Sequence, residues 1–176
     1  MCPSKSKQPS EEIEVISGQP KPRVRDRIFA TACELFYRHG IHEVGVETIA
    51  GEAGTNKMSF YRSFSSKDEL VAEYLKEQAR EALAWWDGIV APYEGDPRAQ
   101  VEAMFQAMAV KGCSHESHGC ALANAAVELE ESHPAHKVIE DFKTEVRRRL
   151  RELARRMHAQ EPDALGDGLM LLLEGT

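Results

Sequence analysis

The sequence predicts an all-α fold, and three observations do so. Apolar residues recur at three- and four-residue spacing in eight successive segments. Residues that open or close helices stand at segment ends, among them Gly40, Gly54, Asn56, Ser66 and Pro92. No stretch alternates apolar and polar side chains as a half-buried strand does, apart from a short one at Ile13 to Ile16, and no internal repeat is present.

Residues 1–22, "MCPSKSKQPSEEIEVISGQPKP", carry four prolines and no helical period, and are expected to be a flexible N-terminal extension. The first helix carries Val24, Ile28, Ala32, Leu35 and Phe36 on one stripe and ends at Gly40. The second carries Val46, Ile49, Ala50 and Ala53 and stops at Gly54. A short third helix starts at an Asn56 cap and turns Phe60 and Phe64 inward at i and i+4. Ser66-Lys67-Asp68-Glu69 reads as a capping box that opens a long fourth helix running to about Ala91, before Pro92. Val101, Met104, Phe105 and Met108 mark the fifth helix, and Leu122, Ala126 and Leu129 the sixth. A long seventh carries Ile139, Phe142, Val146, Leu150, Leu153 and Met157, and the eighth Leu165, Leu169, Leu172 and Leu173.

With 176 residues, 42% of them hydrophobic, the chain can bury one or two small cores and is not disordered by composition. The net charge of -7 is unevenly spread. Residues 20–67 hold eight Lys or Arg against five Asp or Glu, whereas residues 68–176 hold twelve against twenty-one. An acidic total therefore does not exclude a polyanionic partner, because screening over about 8 Å hides the remote acidic part from a local basic surface. Four cysteines without an apolar leader suggest neither secretion nor a disulfide framework, so a cytoplasmic setting is expected. The apolar run "GLMLLLEG" is far shorter than the roughly 20 residues that span a bilayer, and no membrane partner or cofactor is implied.

Helix, short glycine-containing turn, helix is the arrangement with which many proteins place a second helix in the DNA major groove, and it is also an ordinary helical hairpin. The surface of the third helix favours the first. With Phe60 and Phe64 inward, Met58, Ser59, Arg62 and Ser63 lie on the opposite side and Lys57 at the N-terminal tip, short or cationic groups that a groove admits. Tyr61 lies on the flank, where its hydroxyl can reach a phosphate or else be buried, and Lys67 begins the next helix beside it.

Two stretches, "RIFATACELFYRHGI" and "IAGEAGTNKMSFYRSFSSKDEL", resemble the first helix, helix-turn-helix and start of helix four of the TetR family of bacterial transcriptional regulators. The remainder, including "GCALANAAVELEESHPAH" and "LMLLLEGT", is similar to ligand-binding domains in one branch of that family. The resemblance implies an N-terminal three-helix helix-turn-helix domain at residues 23–67. A long fourth helix joins it to a helical ligand-binding and dimerisation domain at residues 68–176, from which the family's final helix is missing. It also implies that Lys57, Met58, Ser59 and Tyr61, with Arg62 on the same surface, face double-stranded DNA, and that Tyr61 and Lys67 hold its backbone. Three departures stand out. Gly45 replaces a usual Ser or Thr cap that touches a phosphate. Met58 replaces a usual Gly or Pro, and Glu47 often has Arg at its position, which exchanges guanine donors for an acceptor suited to cytosine.

The large apolar groups of helices four to eight suit a plain core. The resemblance adds a cavity for a small, mostly apolar effector, with Trp86, Met104, Met108, Leu122 and Phe142 as candidate wall residues and methionine flexibility as an advantage. "RRRLRELARR" is read as the solvated face of an amphipathic helix rather than a second nucleic-acid patch. In "GCSHESHGC", Cys113, His115, His118 and Cys120 are possible metal ligands or a redox pair, but their spacing matches no common zinc module and a solvated loop serves as well.

The sequence is compatible with three classes of function. A homodimeric repressor released from a palindromic operator by a small molecule accounts for the most features, with metal or redox sensing through Cys113 and Cys120 as its variant. A helical enzyme would have only Cys120 and His118 to offer, and a helical interaction module leaves the Lys57 to Lys67 surface unused.

Overall fold

The computed structural model describes residues 22–112 and 118–175. They form eight α-helices: α1 Val24–His39, α2 Val46–Glu52, α3 Lys57–Ser63, α4 Lys67–Val90, α5 Pro97–Gly112, α6 Ala121–Glu128, α7 His136–Arg156 and α8 Pro162–Glu174. A single 3-10 turn, Ala91–Tyr93, separates α4 from α5, and there is no strand among the described residues. The expected strand at Ile13 to Ile16 and most of the N-terminal extension lie outside the described residues, as do Cys113 and His115. Among the described residues, no helix is long and apolar enough to cross a membrane.

Helix ends follow local chemistry. Gly40 adopts φ +82°, a left-handed value that favours glycine, and its N–H donates to Phe36 O at 3.0 Å, closing α1. Asn56 Oδ1 accepts from Ser59 N at 2.9 Å and opens α3. At α4 the expected capping box is only half formed. Ser66 Oγ accepts from Glu69 N at 3.0 Å, but the Glu69 carboxylate reaches Ser65 rather than Ser66, accepting from its N–H and its hydroxyl at 2.6 Å each. Ser65 offers its N–H and its hydroxyl as two converging donors, where a full capping box would supply only the Ser66 N–H.

Two apolar clusters organise the helices. The first gathers Ile28, Ala32, Leu35 and Phe36 of α1, Ile49 and Ala50 of α2, Phe60 of α3 with Phe64 at its end, and Leu70, Val71, Tyr74 and Leu75 of α4. It continues into Leu122 and Ala125 of α6 and Ile139 of α7, so the packing behind α1 to α3 runs without a break into later helices. Trp86, Met104, Val146, Leu150, Leu153 and Met170 form the second. Phe142 packs against both. The 24-residue α4, about 36 Å long at 1.5 Å per residue, supplies its first half to one cluster and its second half to the other.

The eighth helix departs from the expected stripe. Gly166 and Met170 are its buried residues, with Leu169 and Leu173 packed beside them, while Leu165 and Leu172 are exposed together with Leu171. The cause is the approach to α7: a Cβ placed on Gly166 would stand 2.7 Å from the Arg151 Cα and 2.8 Å from its N. Glycine lets the two backbones meet, and that contact fixes which face turns inward.

Candidate nucleic-acid interface

The connection between α2 and α3 is held by backbone and by α1. Thr55 N donates to Ala50 O at 2.9 Å and Gly54 N to Gly51 O at 3.0 Å, with Gly54 at φ +63°. From α1, Arg27 Nε donates to Ala53 O at 3.2 Å, tying the turn to the helix behind it. Phe60 and Phe64 are then sealed in the core, at 0% and 1% exposure. Because 3.6 residues make a turn, burying these two commits the opposite side of α3 to solvent.

That side carries the expected residues. Lys57, Met58, Tyr61 and Arg62 are exposed, and Ser59 and Ser63 half-buried. Tyr61 stands edge-on to the Phe60 ring at 5.4 Å with half of its surface open, so it is not the buried tyrosine of the alternative reading. Arg62 Nη2 approaches Met58 Sδ at 3.5 Å, and the Ser63 hydroxyl donates to Ser59 O at 2.9 Å. Lys57 Nζ lies 3.1 Å from Glu47 Oε1 of α2, and this carboxylate raises the Lys57 pKa.

Lys67 differs from its companions. It is half-buried, its Nζ donates to Ile41 O at 2.6 Å, and burial lowers its pKa. An ammonium has three protons, so two remain for a phosphate after this bond. The same turn is held from a distant part of the chain. Glu128, at the end of α6, accepts from Ile41 N at 2.6 Å and from His42 N at 3.2 Å, and its carbonyl lies 2.7 Å from His42 Nε2. Neither the Ile41 carbonyl nor this carboxylate carries a local sequence signal, so the link is visible only in the folded chain.

The candidate effector residues fall in two places. Trp86 and Met104 are buried in the second cluster with Met108 and Phe142 packed on it, whereas Leu122 belongs to the first. A cleft of about 300 Å³ lies between the end of α1 and α6, bounded by Tyr37, Tyr74, Asn124 and Glu128. A second, of about 210 Å³, is bounded by Trp86, Val90, Gln100, Arg149, Leu153 and Arg156. Met104, Met108, Leu122 and Phe142 line neither. The arginines of α7 are paired as a solvated face: Arg149 with Asp87 and Glu145, Arg151 with Asp167, Arg155 with Asp163. Of the histidine and cysteine loop, His118 donates its N–H to Tyr37 Oη at 3.2 Å and Cys120 is exposed at the start of α6. No group of three or more His, Cys, Asp or Glu suited to a metal occurs among the described residues.

Residues 28–74 match the model of the bacterial regulatory proteins of the tetR family. No curated protein sequence matches the chain. Among solved structures, one described as a TetR transcriptional regulator of Streptomyces avermitilis is 31% identical, covers 88% of this chain and 84% of its own, and superposes with a TM-score of 0.79. A TetR-family transcriptional regulator of Streptomyces coelicolor is 29% identical over 86% of this chain and 80% of its own, with a TM-score of 0.78. A transcriptional regulator of Saccharomonospora viridis, solved in complex with choline, shares the fold at 20% identity and a TM-score of 0.70, over 86% of this chain and 81% of its own. A basic, outward-facing α3 on a buried phenylalanine pair, seated in this eight-helix frame and matched at this identity and coverage, makes the chain a member of the TetR family, a DNA-binding regulator of transcription.

Proposed function

We propose that the protein is a non-enzymatic, cytoplasmic repressor that binds a palindromic operator as a homodimer and is released by a small organic effector. The observation that carries this reading is the exposed face of α3, where Lys57, Met58, Tyr61 and Arg62 stand clear of the core that holds the helix in place. Lys57, Met58 and Ser59 meet base edges, and Tyr61, Arg62 and Lys67 the phosphates. Residues 23–67 act as the reading unit and residues 68–176 as the effector and dimer unit, with residues 1–22 as an extension. Exposed Leu165, Leu171 and Leu172 of α8 support a twofold partner, since a monomer gains nothing by presenting three leucines to water.

For the effector, Trp86 and Met104 belong to one cluster with Met108 and Phe142 packed on it, whose methionines can repack around a guest, and Leu122 lies in the neighbouring cluster that Phe142 also packs against. The choline held by the Saccharomonospora viridis regulator supports a small organic molecule in this fold. Release requires that the effector prefer a conformation in which two α3 helices no longer fit half-sites about 34 Å apart. Helix α4, which shares both clusters, is the lever.

Selection of bound sequences from random duplexes, followed by a compound screen for release, tests the reading. An inverted repeat is expected, and Arg62→Ala with Tyr61→Phe should weaken its binding at least tenfold without loss of helicity. A releasing compound should change the fluorescence of Trp85 and Trp86. Recovery of no common sequence, or release with no change in either tryptophan, contradicts it.

A further inference from the structure

We propose that Glu47 and Lys57 act together as a single reader of one base pair, placing Lys57 over a keto base and Glu47 over its amino partner. The inference rests on the operator-binding reading above and specifies what that site recognises. The two side chains come from different helices, meet at 3.1 Å and remain 57% (Lys57) and 79% (Glu47) exposed, so the pair is presented outward as a unit beside the reading helix.

In the major groove the two central groups of every base pair are one keto oxygen and one exocyclic amino group. They are hydrogen-bonded to each other and so stand about 2.9 Å apart. The ion pair offers a donor and an acceptor at nearly the same separation. Laid end-on, Nζ donates to the keto oxygen and the carboxylate accepts from the amino group, and all four groups are satisfied. The reversed base pair sets ammonium against amino group and carboxylate against keto oxygen, two repulsions at once. The arrangement therefore selects G or T over C or A on one strand. Guanine ranks above thymine, because its N7 gives Lys57 a second acceptor where thymine has a methyl group. A pair of zero net charge also has little attraction for phosphates, which keeps this corner of the surface for base readout.

Selection from random duplexes with four proteins tests this: the parent, Glu47→Gln, Lys57→Met, and the charge exchange Glu47→Lys with Lys57→Glu. The parent should enrich G, then T, at one position of each half-site, with C and A depleted about tenfold or more. The exchange should turn that position to C or A on the same strand, and each single change should flatten it while other positions stay as they were. Circular dichroism and thermal unfolding should be unaltered, since both residues are exposed. If the exchange binds nothing, the two single variants decide. Identical preferences at every position in the parent and the single variants, or in the parent and a binding exchange variant, overturn the inference while leaving operator binding intact. Failure of the parent to enrich any sequence removes both.

Discussion

Phe60 and Tyr61 are neighbours on α3 with opposite duties. Phe60 is fully buried against Phe64 and α1, and Tyr61 is half open to solvent. Phe60→Ala should cost about 3–5 kcal/mol of folding stability, as other large-to-small changes in a packed core do, and should be read as a lowered Tm. Tyr61→Phe should leave Tm in place and weaken only DNA binding. The inward pair was legible in the sequence because i and i+4 spacing leaves no other way to bury two aromatic rings from one short helix. The Lys67 contact was not legible. Its acceptor is the Ile41 carbonyl, a group every residue possesses, and only the path of the chain brings it to 2.6 Å. The sequence marks Glu47 as an unusual acceptor on this surface, but its pairing with Lys57 depends on the angle at which α2 meets α3, which composition does not encode.

Helix positions and ends were readable because caps and apolar spacing are local: Gly40, Asn56 and Ser66 each close or open a helix where the sequence places them. The inward face of α8 was harder to read because apolar residues cover more than one side of that helix, and two overlapping stripes compete. The choice is made by contact with α7, where Gly166 allows backbone-close packing. Gly166→Ala should therefore destabilise the protein by about 1–3 kcal/mol in denaturant unfolding, since the clash is with backbone and cannot be relieved by a rotamer. On α7 the electrostatics can be tested by pH. Hydrogen bonds from Arg148 and Arg149 hold the Glu145 carboxyl near a pKa of about 2, down from 4.5. A depressed acid stabilises the folded state fully above its unfolded pKa and loses that contribution as pH falls from about 4.5 towards 2. Glu145→Gln should flatten the stability profile in that window by less than about 1 kcal/mol, because Glu145 is partly and Arg148 widely open to solvent.

Across the whole molecule, α1 to α3 share one apolar cluster with α4, α6 and α7, and a polar strut joins the same parts. Glu128 of α6 binds the backbone N–H groups that follow Gly40, and Lys67 at the head of α4 binds the carbonyl of the same turn. The α1–α2 turn is thereby held by both α4 and α6, and under the proposed function this double tie is where a shift of either helix would first be felt. The charge is divided along the chain as well: the basic excess lies within residues 20–67 and the acidic excess within residues 68–176. If the exposed face of α3 reads DNA sequence, the protein must discriminate between duplexes of equal length and charge. The most direct test is a titration of the protein with a labelled duplex carrying the selected inverted repeat, against a scrambled duplex of equal length, at 50 and 200 mM salt. A preference of about a thousandfold or more for the repeat is expected, persisting as both affinities fall with salt. Equal affinity for the two duplexes at both salt concentrations would contradict it.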